Sequence, residues 1–198
     1  MAVKFIYFTP NIGVILKPSP YFADQFRFFF KRFSSKESLF KWFLKMAGED
    51  SAAFDFPNAL RNNPKTLVIL PRDMESSAGF LHKMPSSWFT NVLCVAHESL
   101  HALISAKRAH AVYFSDAECR YGERVFDEIE QKILEFSPTV CIYLGQPFLP
   151  RLYLAKKCGA GLRIGFNCES LYPFLNMSLH PEHLSEAELV AQYYGVGK

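Results

Sequence analysis

The chain has 198 residues, 49% of them hydrophobic and 21% charged, with a formal net charge of +3. That is ordinary globular composition in a length that can bury one good core. Two classes are excluded at once: no apolar run reaches the roughly twenty residues of a spanning helix, and the five cysteines form no C-x-x-C pair, so they read as reduced core residues and not as a disulfide frame or a zinc knuckle.

The start, Met1-Ala2-Val3-Lys4-Phe5, lacks a long apolar stretch followed by a small-residue cleavage site, so no secretory signal is expected and the expected location is cytoplasmic. The first 45 residues differ in kind from the rest. Half of the twenty phenylalanines lie there, and eight Lys or Arg against two acids give +6, leaving −3 for the remainder. From Tyr21 onward, Phe22, Phe26, Phe29, Phe30 and Phe33 share one helical face, and Phe40, Phe43 and Leu44 continue it after Ser34-Ser35. A basic, aromatic amphipathic helix over residues 21–46 can touch the inner face of a membrane, or it can pack on the rest of the chain or on a second subunit of a homo-oligomer. We therefore expect a Phe-rich basic element over residues 1–60 and a separate domain over residues 61–198. Nucleic acid is not an expected partner, because no RNP-like, helix-turn-helix or zinc-finger pattern is present.

Thr66-Leu67-Val68-Ile69-Leu70 is a short continuous apolar run, the pattern of a strand covered on both faces. The turn after it, Pro71 to Gly79, carries no glycine-rich fingerprint and no P-loop lysine and serine pair, so no nucleotide cofactor is expected there. Asn91 to Ala96 is a second strand-like run, and it leads into His97-Glu98-Ser99-Leu100-His101. Those five residues spell HExxH. If residues 92–105 form one helix, His97 and His101 face one Zn²⁺ and Glu98 polarises its water as general base, which defines a zinc metallopeptidase. The metzincin extension is excluded, since it needs glycine and histidine where Ile104 and Lys107 stand; a third ligand would have to come from Glu118 or Glu123. If the strand reading holds, His97 and Glu98 end a strand and open a loop, and no metal is favoured.

Three more strand-like runs follow: Ala111 to Phe114, Thr139 to Leu144, and Leu162 to Phe166. Arg120 to Phe136 reads as a helix, with Phe126, Ile129, Ile133 and Phe136 on one stripe and Pro138 beyond its end. A shorter helix runs from Pro150, near its first turn, to Gly159, a C′ glycine. Strands alternating with helices at this spacing predict right-handed βαβ units. The expected fold class is α/β, a three-layer Rossmann-like parallel sheet of about five strands with helices on both faces, plus the N-terminal basic aromatic helical element. Ligands of such sheets bind beyond the carboxyl ends of the strands. The expected crevice is lined by Arg72, Asp73, His97, Glu98, Ser115, Asp116, Gln146, Asn167 and Glu169.

The segment Tyr153-Leu154-Ala155-Lys156-Lys157-Cys158-Gly159-Ala160-Gly161-Leu162-Arg163-Ile164-Gly165-Phe166 resembles the helix–Gly–Arg–Ile–Gly stretch that leads into the fifth strand of the bacterial ADP-heptose:lipopolysaccharide heptosyltransferases. Pro173-Phe174-Leu175-Asn176 and a helix from His183 to Gly195 also sit where the N-terminal, acceptor-side domain of that family has an extended stretch and a helix. The resemblance runs from Thr66 onward and implies a Rossmann-like domain. It also implies a second domain holding the sugar nucleotide, which would begin where Lys198 stands, and a Gly-Asp pair supplying the catalytic base, where this chain reads Ser76-Ser77-Ala78-Gly79-Phe80. The expected function is accordingly a stand-alone heptosyltransferase-like domain, an envelope-associated module that binds a small molecule or sugar without transferring it. The alternatives are the zinc metallopeptidase and the acceptor-binding half of a two-chain glycosyltransferase.

Overall fold

The computed structural model describes residues 5–7, 56–61, 63–115, 123–168, 171 and 174–195. The helix expected within residues 21–46, and the residues Asp116, Glu118 and Glu169, lie outside the described residues.

Seven strands form one sheet: β1 (Phe5–Tyr7), β2 (Thr66–Ile69), β3 (Val92–His97), β4 (His110–Phe114), β5 (Val140–Tyr143), β6 (Leu162–Phe166) and β7 (Met177–Leu179). Their spatial order is β1-β7-β6-β5-β2-β3-β4. All pairs are parallel except β1 against β7, where Phe5 lies opposite Leu179. Every residue of β2, β3 and β5 is buried, which is why their sequences read as unbroken apolar runs and not as alternating ones. At the far edge β4 is only half covered.

Among the described residues five α-helices flank these strands, the last of them after β7: α1 (Met74–Lys83), α2 (His101–Ala106), α3 (Glu123–Phe136), α4 (Leu149–Lys157) and α5 (Glu186–Tyr194). Successive side chains of a strand point to opposite faces, and the core splits accordingly. Val68 of β2 and Leu70 just after it pack with Phe80 and Leu81 of α1, Ile104 of α2 and Leu189 of α5. Leu67 and Ile69 pack on the other side with Ile129 and Ile133 of α3 and Leu152 and Ala155 of α4. Two of the four residues expected on the stripe of the 120–136 helix are thus in the core, and Phe136 packs against it.

The α/β class with helices on both faces agrees with the sequence reading, but the parallel strands number six where about five were expected. The additional one is β7, a three-residue strand just after the stretch read as extended. Residues 5–7 also join this sheet, and Leu60 is buried in its core. Gly159 has φ +77° just past α4, as a C′ glycine requires. The α5 helix opens with a capping box, Ser185 accepting from the Glu188 amide and Glu188 from the Ser185 amide, and closes on Gly195 at φ +68°.

Candidate functional site at the carboxyl edge of the sheet

Counted in order of appearance, the six parallel strands lie side by side as 3-2-1-4-5-6. The order reverses between β2 and β5. The chain leaves β2 toward α1 on one face and leaves β5 toward α4 on the other, so the two loops diverge and leave a crevice at this switch point.

On the β2 side, Arg72 and Asp73 are exposed. Asp73 is the N-cap of α1 and accepts a bond of 2.6 Å from the Ser76 amide. Hydrogen bonds from the Ser76 side chain and backbone hold its carboxyl below the ordinary range. The buried Ser77 hydroxyl donates 2.9 Å to the Pro71 carbonyl and ties the loop to the helix. In dinucleotide folds a pyrophosphate takes the amides of this first helix. Here an ionised carboxylate already occupies them.

On the β5 side, Gly145 has φ +80° and its backbone lies directly against Pro71: a Cβ there would stand 2.6 Å from the proline Cβ. The two loops therefore touch and close the floor of the crevice. Gln146 is exposed, but its carbonyl accepts from the Tyr143 hydroxyl at 3.0 Å and from Arg151 Nη2 at 3.2 Å. The Tyr143 hydroxyl in turn accepts from the Phe148 amide at 2.9 Å. Arg151, in the first turn of α4, is only 8% exposed. Its Nη1 donates 2.8 Å to the Leu70 carbonyl across the switch point. Its guanidinium carbon lies 5.5 Å from the centres of both the Tyr143 and the Phe148 rings.

Comparison of the chain with protein-family models, with curated proteins and with solved structures finds no match. The site must be read from its own chemistry.

The HExxH segment does not have the geometry that a zincin needs. His97 is the last residue of β3, Glu98–Leu100 form a 3-10 turn, and α2 begins only at His101, so residues 92–105 are not one helix. The register decides this: β3 pairs with β2 from Val92 to Val95 and with β4 from Leu93 to His97. The Ser99 amide donates to His97 Nδ1 at 3.2 Å and the Ser99 hydroxyl lies 2.9 Å from the same nitrogen, which ties the ring to the turn that follows the strand. The His97 ring packs edge-on against Phe114, and the exposed His101 ring lies 5.1 Å from that of Tyr113. Among the described residues no group of three or more His, Cys, Asp or Glu could hold a metal ion. The single helix that the alternative zincin reading of His97, Glu98 and His101 requires is therefore absent, and these residues form a strand end, a turn and the start of α2.

The remaining expected residues are spread along one edge. Asn167, exposed at φ 49°, follows β6, Gln146 follows β5, Arg72 and Asp73 follow β2, His97 and Glu98 end β3, and Ser115 follows β4. Gln146, Arg72 and Asp73 meet at the switch point; His97 and Glu98 lie one strand further out. Sequence reasoning did not single out Gly145, Tyr143 or Arg151. The one local signal was Gly145-Gln146-Pro147-Phe148-Leu149-Pro150-Arg151, a tight turn entering a helix with an arginine in its first turn. No helix among the described residues is long and apolar enough to cross a membrane.

Proposed function

We propose that this chain is a ligand-binding domain of Rossmann-like design, related to the acceptor-side half of the heptosyltransferases, and that it takes a sugar or another small polar molecule at the switch point between β2 and β5. One observation carries this reading: the reversal of strand order there, with its two loops diverging to opposite faces. The crevice offers what a sugar needs, exposed polar side chains at Arg72 and Gln146 above a floor of loops that are fixed by hydrogen bonds.

The reading is of binding without transfer. Asp73, the acid that follows β2, is committed to capping α1 and holds its proton weakly, so it is a poor general base at neutral pH. The heptosyltransferase relation is a fold-level analogy supported by the Gly161 to Phe166 segment, now seen as the entry and body of β6. Envelope association belongs to the same proposal and rests on the charge and phenylalanine pattern of residues 21–46.

The test is an amide NMR titration of the full chain with a neutral heptose. Shifts centred on Arg72, Asp73, Gly145 and Gln146 support the reading. Shifts centred on another edge of the sheet overturn the site, and turnover of a sugar nucleotide by the chain alone overturns its non-catalytic character.

A further inference from the structure

The Arg151 guanidinium is a permanent charge, 8% exposed, at the floor of the switch point. A buried cation ordinarily has a carboxylate partner, because neutral dipoles replace only part of the hydration it gives up. Arg151 has two carbonyls, Leu70 O at 2.8 Å and Gln146 O at 3.2 Å, and no carboxylate among the described residues. The nearby acid, Asp73, is turned onto the Ser76 amide. Two of the five guanidinium hydrogens are thus used, one on each Nη. The Nε hydrogen meets no acceptor among the described residues, and Nε is not one of the fully buried polar atoms lacking a partner, so it keeps some contact with solvent.

The two carbonyl bonds fix the plane of the fork, and the rings of Tyr143 and Phe148 flank it. A fork held in this way is prepared for two parallel N–H···O bonds to a planar or tetrahedral oxyanion, a geometry that an ammonium group cannot supply. The helix that carries it, α4, has Phe148 at its N-cap and so no side-chain cap, whereas α1 on the other side of the crevice is already capped by Asp73. The electrostatics of the switch point therefore favour an anion on the β5 side and disfavour one on the β2 side.

We propose that Arg151 is the anchor for an oxyanion, a phosphate or carboxylate group carried by the ligand of this crevice. The inference rests on the switch-point reading and adds the chemical class of what binds there: a sugar phosphate or sugar acid in preference to a neutral sugar.

The experiment uses the full chain with arginine Nε–H signals resolved by NMR, titrated with inorganic phosphate against chloride at equal ionic strength. The expected result is a saturable shift of the Arg151 Nε–H signal, accompanied by the Gly145 and Gln146 amides, at millimolar phosphate. Arg151→Lys keeps the charge and loses the fork; it should bind phosphate about tenfold more weakly while remaining folded. If the lysine variant does not fold, the wild-type Nε–H titration still decides the matter. An Nε–H signal that phosphate does not move overturns the anchor. Should a neutral heptose then still shift the switch-point amides, the binding reading survives without it; should neither probe act there, both fall. Equal phosphate affinity in wild type and Arg151→Lys also overturns the anchor.

Discussion

Replacing Gly145 by alanine tests the closed floor of the switch point. Two costs arise there and can be separated. The first is backbone: at φ +80° an L-residue loses about 1 kcal/mol relative to glycine. The second is steric, because the new Cβ would stand 2.6 Å from Pro71 Cβ and 3.3 Å from its Cγ, and a proline ring cannot rotate out of the way. Forcing a methyl group into packed surroundings costs typically about 1–3 kcal/mol. The sum is about 2–4 kcal/mol, which in a chain of this size lowers Tm by about 5–15 °C. Gly159→Ala is the control: its φ is +77°, yet nothing lies within 4 Å of its Cβ position, so only the backbone cost of about 1 kcal/mol applies. Urea unfolding of both variants, read by circular dichroism, gives the difference directly. Equal losses would refute the contact between the two loops, and with it the floor on which the site is built.

Other outcomes follow from the same packing. Gly165→Ala, whose Cβ would stand 2.4 Å from Cys168 Sγ and 2.5 Å from Leu175 Cδ1, should lose about 1–3 kcal/mol in urea unfolding, and an unchanged midpoint would contradict the close approach of β6 to the segment after it. Tyr194→Phe removes a 2.7 Å bond to the Thr66 hydroxyl; since that hydroxyl already donates to the Pro64 carbonyl, the tyrosine is the donor, and the variant should be about 1 kcal/mol less stable. Asp73 has its carboxyl lowered in the folded chain, so its stabilisation is present above the unfolded value, near pH 3.9, and is lost as pH falls through the folded value; the Tm gap between wild type and Asp73→Ala should close on acidification, and a gap that widens would refute the cap. Burial pushes the Cys94 thiol up to about 12 and the Cys141 thiol well up, so at pH 8 Ellman's reagent should label neither until the chain unfolds; fast labelling of either would contradict the packing of β3 and β5.

Strands β2, β3 and β5 were legible because burial on both faces leaves an unbroken apolar signature, as in Thr66–Leu70 or Thr139–Leu144. Met177–Leu179 was not, since three residues between Asn176 and His180 carry no period; its place is set by Ser178 pairing with Gly165 and, through β1, with Ile6. His97 to His101 was ambiguous for a local reason. The same five residues satisfy a helical metal motif and a strand end, and only pairing with β2 and β4, which no window of sequence contains, chooses between them. Strand order is likewise a tertiary fact: the chain crosses from β4 to β5 on the far side of β2, and that crossing creates the switch point. Arg151 reads locally as an exposed charge in a first helical turn. Its burial depends on Leu70, 81 positions earlier.

A crystal structure of the full chain soaked with a hexose or heptose phosphate would show directly whether a ligand sits where β2 and β5 diverge. Density is expected between Arg72 and Gln146, with the phosphate oxygens within hydrogen-bond distance of Arg151. Ligand density at the opposite edge of the sheet or around His97 and His101, with the switch point empty, would contradict it.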